Sequence, residues 1–234
     1  MILTLSFFAL TPNLASAQDP MVLELLEKSN KTNPTPEASI VKDQIMKAAA
    51  AIQKRTGGCV ISSTEIEKIT PSTGVRYVLE GIAFRRLRNG WTVEAKHQNC
   101  GSDISRYLIV QTSDGSLETI RMNKGRSNAN ESLISDTLPS AYIAAASVIR
   151  NAGGKCDIRS AESAILGTTR IANEEPGLGP DVYGVRYTGS WTEIWPIMIC
   201  NRTVEVPVRF TGDGDGGAYN DIKGSKARLL PVTQ

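Results

Sequence analysis

The sequence predicts an α+β fold made of two tandem repeats, each a helix packed on a roughly four-stranded antiparallel sheet and each closed by one disulfide. Three observations predict it. Landmark residues recur in one order in the two halves. Each half opens on a stretch with helical apolar periodicity that ends in a glycine pair. Each continues in segments of strand-like alternation separated by turn residues.

The recurrence is specific. Gly57-Gly58-Cys59 corresponds to Gly153-Gly154-Lys155-Cys156, and Gly74-Val75-Arg76-Tyr77 to Gly184-Val185-Arg186-Tyr187. Trp91-Thr92 stands nine residues before Cys100, as Trp191-Thr192 does before Cys200. Thr112-Ser113-Asp114-Gly115 and Thr211-Gly212-Asp213-Gly214 complete the series. Only the spacing from Gly-Val-Arg-Tyr to the tryptophan differs, so one connection has changed length. A period of about a hundred residues is a duplicated domain rather than a solenoid unit.

A short helix is expected over 19–28 through Val22, Leu25 and Leu26, followed by a polar linker over 29–35. In the first repeat Val41, Ile45, Ala48 and Ile52 form one helical stripe. Thr35 would cap it, Pro36 and Glu37 would fill its first turn, and Gly57-Gly58 would stop it. In the second repeat Leu138, Tyr142, Ala145 and Ile149 form the stripe, with Pro139 near its start and Gly153-Gly154 at its end. Val75, Tyr77 and Leu79 alternate with Arg76, Val78 and Glu80, and Ile82 and Phe84 extend the pattern, so 75–84 reads as a strand. Asn89-Gly90 reads as a hairpin turn, since both residues tolerate positive φ. Residues 106–111 and 117–122 pair around Asp114-Gly115, and 204–210 leads into the glycine-rich turn 212–217. A loop is expected over 177–180.

The predicted organisation is a signal segment over 1–17, an N-terminal segment and linker over 18–35, repeats over 36–125 and 138–228, a linker over 126–137 and a tail over 229–234. One helix on a curled antiparallel sheet is cystatin-like in plan. Tandem α/β repeats with disulfides resemble the β-lactamase inhibitory proteins in plan, which implies a binding role.

The bulk numbers are those of an ordinary globular chain: 234 residues, 41% apolar, 21% charged and a net charge of +2. That charge argues for neither nucleic acid nor membrane. Beyond the N-terminus no stretch reads as a bilayer span. Residues 2–14 are mostly apolar, Pro12 breaks the run, and Ala15-Ser16-Ala17 gives a cleavage pattern with Gln18 as the new N-terminus. No Lys or Arg precedes the run, the one element of such a signal that is missing. No cysteine follows it to carry a lipid. The expected location is periplasmic or secreted, where four cysteines favour two disulfides. Duplication pairs Cys59 with Cys100 and Cys156 with Cys200. A zinc site is the alternative, but no C-x-x-C pair is present.

Few constellations carry chemistry. His97 lies three residues from Cys100, but Ile197 matches it in the second half, so a structural cysteine explains the landmark better than a thiol nucleophile. No G-x-S-x-G, P-loop or H-E-x-x-H motif occurs. The run Asp213 to Gly217 resembles a calcium loop but lacks the downstream Glu, so it reads as a turn. No cofactor or metal is expected. Arg85, Arg86 and Arg88 form the one basic cluster. Residues 36–125 hold 13 Lys and Arg against 9 Asp and Glu, net +4, whereas 138–228 hold 10 of each. Such a cluster either meets an anionic partner or protects a strand edge. Trp195 has no counterpart in the first half and reads as an interface residue, while Trp91 and Trp191 read as core. The expected function is a non-catalytic binding protein: an inhibitor, an immunity factor or an accessory of envelope assembly. Its partner would be another protein or an anionic envelope component, without nucleic acid or stable membrane insertion. The alternative is an envelope-polymer hydrolase with a carboxylate pair drawn from Glu80, Glu94 and Glu193.

Overall fold

The computed structural model describes residues 20–56, 60–98, 103–157 and 164–231. Over these the chain is α+β, with four helices and a large mixed sheet. The elements are α1 (Pro20–Thr32), α2 (Ala38–Thr56), β1 (Thr64–Pro71), α3 (Arg76–Ala83), β2 (Leu87–His97), β3 (Ile104–Thr112) and β4 (Leu117–Gly125). Then come α4 (Glu131–Asn151), β5 (Ile165–Leu166), β6 (Thr168–Glu174), β7 (Asp181–Val182), β8 (Val185–Arg186), β9 (Ser190–Ile199), β10 (Arg202–Gly212), β11 (Ala218–Ile222) and β12 (Arg228–Leu229). The expected signal segment, Cys59 and Cys100 lie outside the described residues.

The strands run β1-β2-β3-β4-β6-β9-β10-β11, with β5 beside β9, β12 beside β10 and β7–β8 a separate ribbon. All pairings in the sheet are antiparallel but one. β4 and β6 run parallel, Lys124 beside Thr168 and Gly125 beside Thr169. A Cβ on Gly125 would strike the Thr169 carbonyl, so only glycine lets the two strands approach there.

β3 is buried on both faces. Tyr107 and Ile109 join Trp91, Val93 and Ala95 of β2 in a cluster closed by Val41 and Ile45 of α2. Leu108 and Val110 point the other way, against Val75 and Val78. Met122 of β4 packs against this second cluster and also against the α4 core. Helices α3 and α4 therefore lie on one side of the sheet and α2 on the other. Along the sheet the strands divide into β1-β2-β3-β4 and β6-β9-β10-β11, and the two four-stranded blocks meet at the parallel β4–β6 step.

The α4 core joins Ala141, Ala145, Ala146 and Ile149 to Trp191, Trp195, Ile197 and Phe210. Trp191 stacks on Phe210, ring centroids 5.1 Å apart. The helix stops as its glycine pair predicts: Gly153 N–H donates to Arg150 O and Gly154 N–H to Ile149 O, with Gly153 at φ 81°. Just beyond, Cys156 is bonded to Cys200, Cα atoms 5.7 Å apart. Closing that span removes up to about 4 kcal/mol of unfolded-chain entropy in the loop-entropy account. Cys200 and Asn201, both at positive φ, make the two-residue β9–β10 turn.

Several expectations need correction. Residues 75–84 are not a strand. Val75, Val78 and Ile82 also fit helical spacing, and α3 buries that stripe on the sheet. Asn89-Gly90 is not a turn but lies inside β2. Asn89 is buried, donating to Asn33 O at 2.6 Å. A Cβ on Gly90 would come within 2.8 Å of Val78 Cγ2, so this glycine serves close helix–strand approach. Helix α4 begins at Glu131 rather than near Pro139, capped by Asn130 Oδ1 accepting from Leu133 N–H at 3.0 Å. Most of the expected linker 126–137 is thus helix, and Pro139 lies inside it. Against the expectation that no stretch beyond the N-terminus is a candidate span, α4 is long and apolar enough to cross a bilayer. Its apolar face is instead applied to β9 and β10. Helix α1 runs on to Thr32, into the expected linker.

Candidate functional site

Helix α3 ends in a six-residue closure: Arg86 N–H donates to Gly81 O at 2.8 Å and Arg85 N–H to Ile82 O at 3.0 Å. This closure puts the residue after the cap in the left-handed region, where glycine is the ordinary choice. Here it is Arg85, at φ 57°. The turn throws Phe84, Arg85 and Arg86 outward. Phe84 is 71% exposed, and the Arg86 guanidinium carbon lies 5.8 Å from the centre of its ring.

Arg88 follows on β2, exposed but engaged. Its Nε and Nη2 donate to Ser113 O in the β3–β4 turn at 2.9 and 2.6 Å, and its carbonyl accepts from Ser29 Oγ of α1 at 2.6 Å. Between α1, the end of α3 and the start of β2 lies a groove of about 440 Å³. Leu25, Ile82 and Leu87 give it apolar walls, and Lys28, Arg85 and Arg88 are cations on its lining. None of its described lining residues is acidic. The basic cluster expected from the sequence is therefore real in space, but it crowns a helix-to-strand turn, not an Asn-Gly hairpin.

Trp195 does not match its expected interface role. It is fully buried, tilted against Phe210, and its Nε1–H donates to Glu193 Oε2 at 2.9 Å. Trp191 Nε1–H donates to Glu193 Oε1 at the same distance. Ser127 Oγ reaches both carboxylate oxygens, and the Asn128 and Ala129 N–H groups reach Oε1 at 2.8 and 3.1 Å. Five donors thus hold one fully buried carboxylate and tie the loop before α4 to β9. Arg106, also buried, lends a cation nearby and donates to Asn123 Oδ1 and Ala129 O at 3.1 and 3.0 Å. The signal for this clasp was present in the sequence. Trp191, Glu193 and Trp195 are spaced by two, which puts all three on one face of a strand.

The three carboxylates of the hydrolase alternative do not meet as a reactive pair. Glu80 is exposed on α3 in an ion pair with Arg76 at 2.9 Å. Glu94 stands on β2 opposite Lys68 and Arg106. Glu193 has its oxygens filled. His97 is held at both ring nitrogens, Nδ1 by Thr64 Oγ1 at 2.9 Å and Nε2 by Tyr107 OH at 2.6 Å. Burial lowers its pKa, with Arg121 and Lys124 acting in the same sense. In the Asp213–Gly217 run, Asp213 Oδ1 accepts from the N–H groups of Asp215 and Gly217, which spends an oxygen on the turn itself. No cluster of three metal-ligating side chains occurs among the described residues.

Compared with known proteins, the chain matches no family profile, no curated protein and no solved structure. The likeness in plan to the β-lactamase inhibitory proteins therefore carries no further argument.

Proposed function

We propose that this chain is an exported, non-catalytic binding protein that meets an anionic partner through the turn between α3 and β2. The observation that carries the reading is the crowding of Phe84, Arg85 and Arg86 on one turn beside a groove whose described lining has cations and no acid. Arginine is a residue that dominates binding energy at interfaces, and phenylalanine is enriched there. Arg88 belongs to the frame, because its guanidinium holds the β3–β4 turn.

The same proposal takes the chain as two diverged copies of one module, the second opening at α4. Three features support it. Trp91 and Trp191 both lie on the second strand of their four-stranded block. The blocks follow one strand order. The connection after the first strand carries α3 in one block and the β7–β8 ribbon in the other, which accounts for the changed spacing. The two Gly-Val-Arg-Tyr segments pack on each other: Gly74 faces Val185, and Gly184 faces Val75. The reading predicts a second disulfide between Cys59 and Cys100, both outside the described residues.

The test is affinity capture from a periplasmic extract with the exported protein and with its Arg85→Ser/Arg86→Ser variant. The expected result is a discrete partner retained by the first, released by salt and lost by the second, with both proteins melting within a few degrees. A partner retained equally by both contradicts the reading.

A further inference from the structure

We infer that the groove between α1 and the α3–β2 turn is the docking site for an acidic, extended segment of a partner protein. The segment seats one aliphatic or aromatic side chain between the carboxylates that Arg85 and Lys28 pair with. This inference rests on the proposed function and narrows its partner to a peptide of defined chemistry.

Two independent observations carry it. The first is complementarity. Leu25, Ile82 and Leu87 offer apolar contact, and the cations beside them favour a chain that brings negative charge. A volume of about 440 Å³ is of the size that receives a few side chains. An arginine fork matches a carboxylate with two parallel bonds, a geometry a lone ammonium cannot give. Phenylalanine and arginine are both enriched at protein interfaces, whereas a lipid surface is met by broad polybasic segments.

The second observation is the backbone of Arg85. At φ 57° it occupies the position where glycine ends a helix without strain. An arginine there opposes the local preference, and strain of this kind gathers at working sites. Arg85 itself lines the groove, so the strained position and the basic lining coincide in one residue.

Replacing Arg85 by glycine separates function from folding. The variant keeps the turn, so it should melt unchanged or a few degrees higher, and it should lose binding. Random short peptides displayed on phage and selected on the exported protein give the probe. The expected outcome is enrichment of sequences with Asp or Glu on both sides of Leu, Ile or Phe. A representative peptide should bind Arg85→Gly at least about tenfold more weakly by fluorescence anisotropy. No enrichment, enrichment of neutral or basic sequences, equal affinity for Arg85→Gly, or binding to phosphatidylglycerol vesicles in preference to peptide would each overturn the inference. Capture that still depends on Arg85 and Arg86 would then leave the broader anionic-partner reading standing alone. Capture indifferent to them removes that reading separately.

Discussion

Glu193 shows how a single residue organises half of this molecule. A buried carboxylate is costly unless its oxygens are filled, and here two indoles, one hydroxyl and two backbone N–H groups fill them. Removing the acid leaves five buried donors without their acceptor. Glu193→Ala should therefore lower the unfolding free energy by about 3–5 kcal/mol, read by urea titration with tryptophan fluorescence. A loss under about 1 kcal/mol would show that the clasp contributes little. His97 makes a pH prediction. Burial depresses its pKa, so below the ordinary value near 6.5 the unfolded chain takes up the proton before the folded one. Stability from this residue is held above that value and is lost as pH falls toward the folded pKa. Between about pH 7.5 and about pH 5.5 the wild type should lose more melting temperature than His97→Gln. Equal losses would mean that His97 is not the group responsible.

At the scale of elements, α3 is where local pattern and tertiary contact disagree. Residues 75–84 satisfy a period of two and a stripe at helical spacing together, and a run this short leaves periodicity undecided. What decides it is Gly90 on β2, which gives Val78 room to sit on the strand. Gly90→Ala should push α3 off the sheet and cost about 1–3 kcal/mol, with hydrogen exchange rising first in residues 76–83. Protection that rises evenly over the whole chain would count against this. The same contact explains the misread Asn-Gly pair: its glycine is used for approach, not for a turn, and Asn89 is bonded to α1. Elements whose signals are local were legible. The stripes of α2 and α4, the glycine stop of α4, the pair around Asp114-Gly115 and the β10 turn all follow from residues close in sequence. The start of α4 was not legible, because polar Ser132, Ser135 and Asp136 resemble a linker until Asn130 is seen to cap them. The basic cluster was legible as charge, but the strained backbone beneath Arg85 depends on a closure between Gly81 and Arg86 that composition does not reveal. The role of Trp195 is not legible, because an unmatched tryptophan suggests an interface while its partner Glu193 reads as a candidate catalytic acid until the two are seen bonded.

Across the whole molecule, the parallel step from β4 to β6 joins two four-stranded blocks into one sheet, with α2 and α4 on opposite sides. In the first block α2 packs on one face of the sheet and α3 on the other, so the α3–β2 turn lies at the edge of the covered sheet, with Phe84, Arg85 and Arg86 exposed on it. Phe84 also offers the most direct test of recognition there. A photo-crosslinking phenylalanine analogue placed at 84, in cells exporting the protein, should give one discrete adduct on illumination. The same analogue at Tyr219, equally exposed on β11, should give none. The adduct at 84 should disappear when Arg85 and Arg86 are changed to serine. No adduct at 84, or the same adduct from both positions, would contradict binding through this turn.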